Sequence, residues 1–203
     1  MPKTGSVSFE EYFQTNHKGR YLPSGVFNNF KESMSDDQKL IRLKHRRLPP
    51  AGTEDFIKVA TVRNPFDRIC SMYFFYVYFQ KEMLRLNDRS VLDIVLPIDV
   101  SSFDNFLDYC IDISERPSIG QFRENLCYPC SKYMEHENKY HFVRIEHAEI
   151  DMKKLPFYDQ KHVLGHYNKA GNYPSWQDLR TEERRRKIVR WAENDFEKYD
   201  YNT

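Results

Sequence analysis

The sequence predicts an α/β fold, a central parallel sheet flanked by helices, and three observations carry that prediction. Residues 56–62, Phe56-Ile57-Lys58-Val59-Ala60-Thr61-Val62, form an apolar run that reads as a buried strand, and a segment with helical spacing follows it directly. A second strand pattern, Tyr140 to Ile145, comes after another helical segment. Strands that alternate with helices build parallel sheets covered on both faces. At 203 residues the chain is of single-domain size and long enough to bury a sizeable core, so one domain spanning 1–203 is expected.

Taken in order, the elements begin with Pro2-Lys3-Thr4-Gly5-Ser6-Val7-Ser8, a lysine, a glycine and two serines set ahead of the amphipathic Phe9-Glu10-Glu11-Tyr12-Phe13. Backbone N–H groups at such a helix start face an anion, and Ser6 and Ser8 also suit helix capping. A loop of this kind normally follows a strand; here only Met1 precedes Pro2, so either a strand lies upstream or another segment fills that edge. Residues 16–38, rich in Asn, Gly, Ser and Asp with Pro23, read as loop. Lys39 to Lys44 alternates as a strand that ends at His45 and is stopped by Pro49-Pro50.

After the core strand, Pro65 suits a first helical turn, Asp67 favours its N-terminus, and Ile69, Met72, Tyr73, Tyr76 and Phe79 or Gln80 recur at helical spacing. The aromatic row from Tyr73 to Phe79 is expected to be mostly core. A second helix is predicted over Ser102 to Ser114 with Phe103, Phe106, Leu107, Cys110 and Ile111 on its apolar face. The last helix is predicted to start with Thr181 as N-cap, and to bury Ile188, Val189, Ala192 and Phe196 on one continuous stripe.

Composition narrows the function. Lysine and arginine number 31 against 30 acids, so no global field draws nucleic acid and any anion site must be built locally. The longest apolar stretch, Met72 to Phe79, falls far short of the ~20 residues of a membrane span. No basic segment followed by an apolar one opens the chain, so a soluble, cytosolic protein is expected. The four cysteines, Cys70, Cys110, Cys127 and Cys130, are scattered and read as reduced thiols. Cys127-Tyr128-Pro129-Cys130 with His162 and His166 has elements of a zinc pattern, but the gap is long and Gly165 interrupts it; half-buried loop thiols and no metal are expected.

Val62-Arg63-Asn64-Pro65-Phe66-Asp67-Arg68-Ile69-Cys70-Ser71 sets Arg63 at the C-terminal end of the core strand, where open α/β sheets bind ligands, and Ser71 one or two helical turns further on. Together with the N-terminal loop, this segment resembles the PAPS-dependent sulfotransferases, particularly the Golgi carbohydrate type and its bacterial and viral relatives; PAPS is 3′-phosphoadenosine 5′-phosphosulfate. The resemblance implies a P-loop-like sulfotransferase fold. It also implies that Lys3, Thr4, Gly5, Ser6, Val7 and Ser8 hold the 5′-phosphosulfate, and that Arg63 and Ser71 hold the 3′-phosphate. The first loop departs from the family at Ser6-Val7, where Gly-Thr or Ser-Thr is common; Val7 offers a backbone N–H but no hydroxyl. Animal Golgi members carry a membrane anchor, a segment not seen in this sequence. Further similarity lies in Phe142-Val143-Arg144-Ile145-Glu146, with its Arg-x-Glu, in the late loop from His166 through Asn168 and Lys169, and in the closing helix.

Sulfuryl transfer is an in-line displacement in which negative charge builds on the bridging oxygen of the leaving phosphate. Lys3 is the candidate cation beside that oxygen. Arg63 suits bidentate phosphate recognition better than a lysine would. Arg68, one turn on, is expected to pair with an acid near Asp67 or with Glu146. The acceptor hydroxyl must lose a proton to a base of near-neutral pKa, and His45, at a strand end between the two phosphate motifs, matches the histidine of the sugar O-sulfotransferases; Glu10 or Glu11 is the reserve. The cluster Arg42, Lys44, Arg46, Arg47 points to an anionic acceptor, a small molecule or saccharide. The expected activity is therefore transfer from PAPS to an acceptor hydroxyl on a carbohydrate, releasing PAP, with no metal and no nucleic acid or membrane partner. Two other readings stay open: a PAP- or nucleotide-binding protein without turnover, and a P-loop-type kinase, although Gly-x-x-x-x-Gly-Lys-Ser/Thr is missing.

Overall fold

The computed structural model describes residues 57–86, 98–116, 127–134, 140–156, 158 and 173–203. Its organising feature is a parallel pair of strands, β1 (Lys58–Val62) and β2 (Tyr140–Arg144), in register from Lys58 opposite Tyr140 to Val62 opposite Arg144. Ala60, Thr61 and Val62 of β1 and Val143 of β2 are buried, as expected of strands covered by other elements. The expected strand 56–62 is thus present over its last five residues. Among the described residues the sheet has these two strands, so the broad central sheet predicted from sequence is seen only as this parallel core. The strand predicted at residues 39–44 lies outside the described residues.

Helix α1 (Pro65–Leu86) follows β1 after two residues. Asn64 starts it: its Oδ1 accepts from Phe66 N–H at 3.0 Å and its carbonyl accepts from Arg68 N–H at 2.9 Å, while Pro65 takes the first helical position. The α1 face Ile69, Met72 and Tyr76 is buried, whereas Phe75 and Tyr78 are exposed. Only part of the aromatic row is therefore core. Helix α2 (Phe103–Glu115) is capped by the Ser102 hydroxyl, which accepts from Asn105 N–H, and buries Phe103, Phe106, Leu107, Cys110 and Ile113. Ile113 takes the inner position expected of Ile111, which is half-buried.

After β2 come three short turns, among them α3 (Ala148–Asp151), and then α4 (Trp176–Leu179). Thr181 caps α5 (Glu182–Trp191) by accepting from Arg184 N–H, as its sequence predicts. The stripe through Phe196 is not one helix. Ala192, at φ −124° and ψ 29°, leaves the helical basin, and α6 (Glu193–Lys198) starts anew. Ile188, Ala192 and Phe196 remain buried across the joint.

Helix α5 packs on both α1 and α2, with Ile188 and Trp191 meeting Ile69, Phe106 and Cys110 in one core. Arg184 grips Asp104 through two bonds of 2.8 and 2.7 Å, Lys187 meets Asp108 at 2.7 Å, and Arg190 meets Glu115. These pairs advance in step along both helices, so α2 and α5 run in the same direction. Each surface pair contributes at most about 1 kcal/mol, and the apolar seam carries most of the stability. Among the described residues no helix is long and apolar enough to cross a membrane.

The end of β2 is pinned by Asp151, only 3% exposed, which accepts from Arg144 N–H, Nε and Nη2 at 3.1, 2.8 and 3.0 Å and from Lys154 Nζ at 2.8 Å. Burial pushes the Asp151 carboxyl up, but the bonds from Arg144 and Lys154 outweigh it and hold the group well below the usual carboxylate range. A depressed carboxylate stabilises fully above its unfolded pKa of about 4 and loses that contribution as pH falls toward the folded value. Asp151→Asn is therefore expected to cost about 3 kcal/mol at neutral pH and to flatten the acid limb of the stability profile. Thermal melts from neutral to about pH 3 check this, and a mutant with the parental acid limb refutes it.

Candidate functional site at the strand ends

The C-terminal ends of β1 and β2 bring Arg63 and Asn64 beside Glu146, because the register that pairs Val62 with Arg144 aligns the residues that follow. Glu146 Oε1 accepts from the Asn64 backbone N–H at 2.9 Å, and its Oε2 accepts from the Tyr201 hydroxyl at 3.0 Å. Arg63 Nε stands 3.9 Å from Glu146 Oε1, with the two side chains 32% and 29% exposed. That separation is at the limit of an ion pair. Arg63 is thus oriented by Glu146 without being tightly held, and its planar guanidinium can take an anion from the solvent side.

Tyr201 reaches this point through a left-handed turn. Helix α6 ends at Lys198 with Tyr199 as its C-cap, Asp200 follows at φ 57°, and Tyr201 N–H donates to the Phe196 carbonyl at 3.0 Å. This is the Schellman closure, with aspartate in the position that glycine usually takes. Burial first, and then the adjacent Glu146, push the Tyr201 phenol up, so it stays a donor at neutral pH.

Asp67, one turn into α1, lies in the same field: burial pushes its carboxyl up, Arg63 pulls it down and Glu146 pushes it up again. Ser71 follows Asp67 by four residues and so lies on the same side of α1, a turn further along. Ser71 is half-buried. Its neighbour Cys70 is buried and pushed up to about 12, by burial and then by Asp67, which leaves it a thiol without nucleophilic character. The strand end thus presents one half-exposed guanidinium, and the first two turns of α1 carry one half-buried hydroxyl after it.

Arg68 departs from expectation. It is fully buried; Nη2 donates to the Tyr128 carbonyl at 2.7 Å and the guanidinium lies 5.3 Å from the Trp191 ring centre. Glu146, the acid proposed for it, instead serves Asn64, Tyr201 and Arg63. The helical turn between Arg63 and Arg68 carries the second arginine inward. Cys127 and Cys130, expected to be half-buried, are fully buried. Cys127 joins Cys110 in the main core and Cys130 packs against Val62 and Tyr199. Lys3, Thr4, Gly5, Ser6, Val7, Ser8 and His45, with Glu10 and Glu11, lie outside the described residues, as do His162 and His166.

The sequence offers Glu146 only as a partner for Arg68 and gives Tyr201 no task. The usable signal was the Asn-Pro pair: a helix start at a strand end leaves a backbone N–H that a nearby carboxylate can take.

A family model described as the sulfotransferase family matches residues 1–202. Comparison with curated proteins finds no match, and comparison with solved structures finds none.

Glu146→Ala strips the acceptor from Asn64 N–H and is expected to lower stability by about 1–3 kcal/mol, with Tyr201→Phe costing about 1 kcal/mol. Because Tyr201 bonds Glu146 itself, the double mutant should cost less than the two losses added. Denaturant melts of the four proteins check this, and strict additivity refutes the shared contact.

Proposed function

Since the chain belongs to the sulfotransferase family, and so is a PAPS-dependent sulfotransferase, we propose that it transfers the sulfuryl group to a hydroxyl of a carbohydrate acceptor. The observation that carries this reading is the position of Arg63, half-exposed and loosely paired at the C-terminal end of a parallel strand, with Ser71 on the helix that follows. In this reading Arg63 takes the 3′-phosphate through paired N–H donors, and the Ser71 hydroxyl adds a further bond from α1. PAPS supplies an activated sulfuryl group whose departure leaves charge on a phosphate oxygen. Lys3 sets a cation beside that oxygen, and backbone N–H groups of Gly5 to Ser8 orient the 5′ end.

His45 removes the acceptor's proton, with Glu10 or Glu11 as the alternative base. The support for His45 is its position between the two phosphate motifs, and for a saccharide its likeness to the sugar O-sulfotransferase histidine. Arg42, Lys44, Arg46 and Arg47 in the same stretch favour an acceptor that carries negative charge.

PAP is expected to raise the melting temperature, and Arg63→Ala or Lys3→Ala to remove most of that rise, since each deletes a charge-assisted contact of ~1.5–3 kcal/mol. Equal stabilisation of parent and both mutants sinks the phosphate clamp. With sulfate transfer assayed over saccharides, phenols and peptide tyrosines, His45→Ala is expected to keep PAP affinity while turnover falls ~10²–10⁴-fold. A mutant with parental kcat at saturating acceptor removes His45 from the mechanism, and transfer to phenols or tyrosines alone removes the carbohydrate.

A further inference from the structure

The Cys127-Tyr128-Pro129-Cys130 segment has no part in the phosphate motifs, yet it is the most tightly tied loop near the strand ends. Asp195, fully buried on α6, accepts from Cys130 N–H at 2.7 Å through Oδ2 and from Ser131 N–H at 2.6 Å through Oδ1. Arg68 holds the Tyr128 carbonyl and Trp191 Nε1 donates to the Cys127 carbonyl at 3.0 Å. Four backbone groups of five consecutive residues are thus bound by three buried side chains. Such a loop costs conformational entropy to order, and its rigidity calls for a structure that it supports.

What it supports is the end of β1. Cys130 packs on Val62, the residue before Arg63, within a small cluster completed by Tyr199. Glu146 holds the Asn64 N–H from the other side. Arg63 is therefore flanked by two held neighbours, Val62 packed on Cys130 and Asn64 bonded to Glu146.

We propose that Asp195 is a positioning residue for Arg63: by fixing the backbone of Cys130 and Ser131 it sets the packing of Cys130 on Val62, and so the direction in which the arginine leaves β1. This rests on the reading that Arg63 binds the 3′-phosphate. The split of Ala192 belongs to the same device. It lets α6 start a new direction, from which Asp195 faces the loop while Phe196 stays in the core. Asp195 touches neither nucleotide nor acceptor in this arrangement; it acts through Cys130 alone.

The test uses the full chain and four variants. Asp195→Asn keeps the shape but loses the charge and offers an amide to one of the two N–H donors. Cys130→Ala leaves Asp195 in place and removes the sulfur that packs on Val62, which keeps the proposal testable if the first variant folds poorly. Ile188→Val, a buried change in the main core, is the control for general destabilisation, and Arg63→Ala is the reference.

PAP binding is expected to weaken ~10-fold in Asp195→Asn and in Cys130→Ala, the scale of one displaced charge-assisted contact, while the acceptor KM and the kcat at saturating PAPS move little. Ile188→Val should melt earlier yet bind PAP as the parent does. In an Arg63→Ala background, Asp195→Asn should weaken PAP no further. Hydrogen exchange at the Arg63 amide without nucleotide should be faster in Asp195→Asn than in Ile188→Val.

Parental PAP affinity in both Asp195→Asn and Cys130→Ala, with Arg63→Ala impaired, overturns the positioning role and leaves the phosphate reading standing. An equal PAP loss with and without Arg63 also overturns it. If Arg63→Ala itself binds PAP as the parent does, the phosphate reading falls; the exchange rate then judges the anchor by itself, and an unchanged rate overturns it.

Discussion

A single carboxylate, Glu146, ties together three stretches of chain that are far apart in sequence: the turn after β1 through Asn64 N–H, the end of β2 where it resides, and the C-terminal turn through the Tyr201 hydroxyl. Parallel strands make no such contact by themselves, because their ladder ends where the chains diverge toward their crossovers. Glu146 extends the coupling by one step beyond the ladder. It satisfies a helix-start N–H that has no partner within α1, and it gives Arg63 a charge to face without capturing it. Remove it and the two strand ends keep their register while the turn that carries the arginine loses its brace.

Below that carboxylate the molecule keeps a second polar layer away from water. Arg68 and Asp195 are both fully buried, and both are spent on backbone groups of one loop. A buried charge is tolerable only when its hydrogen bonds are made, and a removed partner leaves the other exposed to the full desolvation cost. The apolar alternative would pack as well, but it would not fix the loop in one arrangement. Specific backbone placement beneath the proposed phosphate arginine is what these two buried polar side chains provide.

The sequence disclosed elements better than it disclosed partners. Pro65 and Asp67 announced α1, Ser102 and Thr181 marked two caps, and the spacing of Phe103, Phe106, Leu107 and Cys110 marked a buried face, because each signal is local. The joint at Ala192 was invisible: alanine is the best helix former, and the contact that accompanies the joint, Asp195 with a loop over sixty residues earlier, is tertiary. Ile113 in place of Ile111 reflects the direction from which α5 approaches α2, again a tertiary matter. In the site, motif spacing names Arg63 and Ser71 as candidates, whereas Glu146, Tyr201 and Asp195 act through contacts across 55 to 82 residues that no periodicity encodes.

The two arginines of the motif state the principle most sharply. Arg63 and Arg68 carry the same charge five positions apart, and neither composition nor a near-zero net charge distinguishes them. Environment does. The strand end leaves Arg63 half in water with one distant acid, so its donors can be drawn to a phosphate at little cost in broken contacts. A helical turn later, Arg68 lies over the Trp191 ring with its Nη2 donating to the Tyr128 carbonyl, and turning it outward would strand that carbonyl and empty the space against the ring. In a chain without excess positive charge, the proposed anion site rests on the arginine left uncommitted, and the length of one helical turn separates it from the committed one.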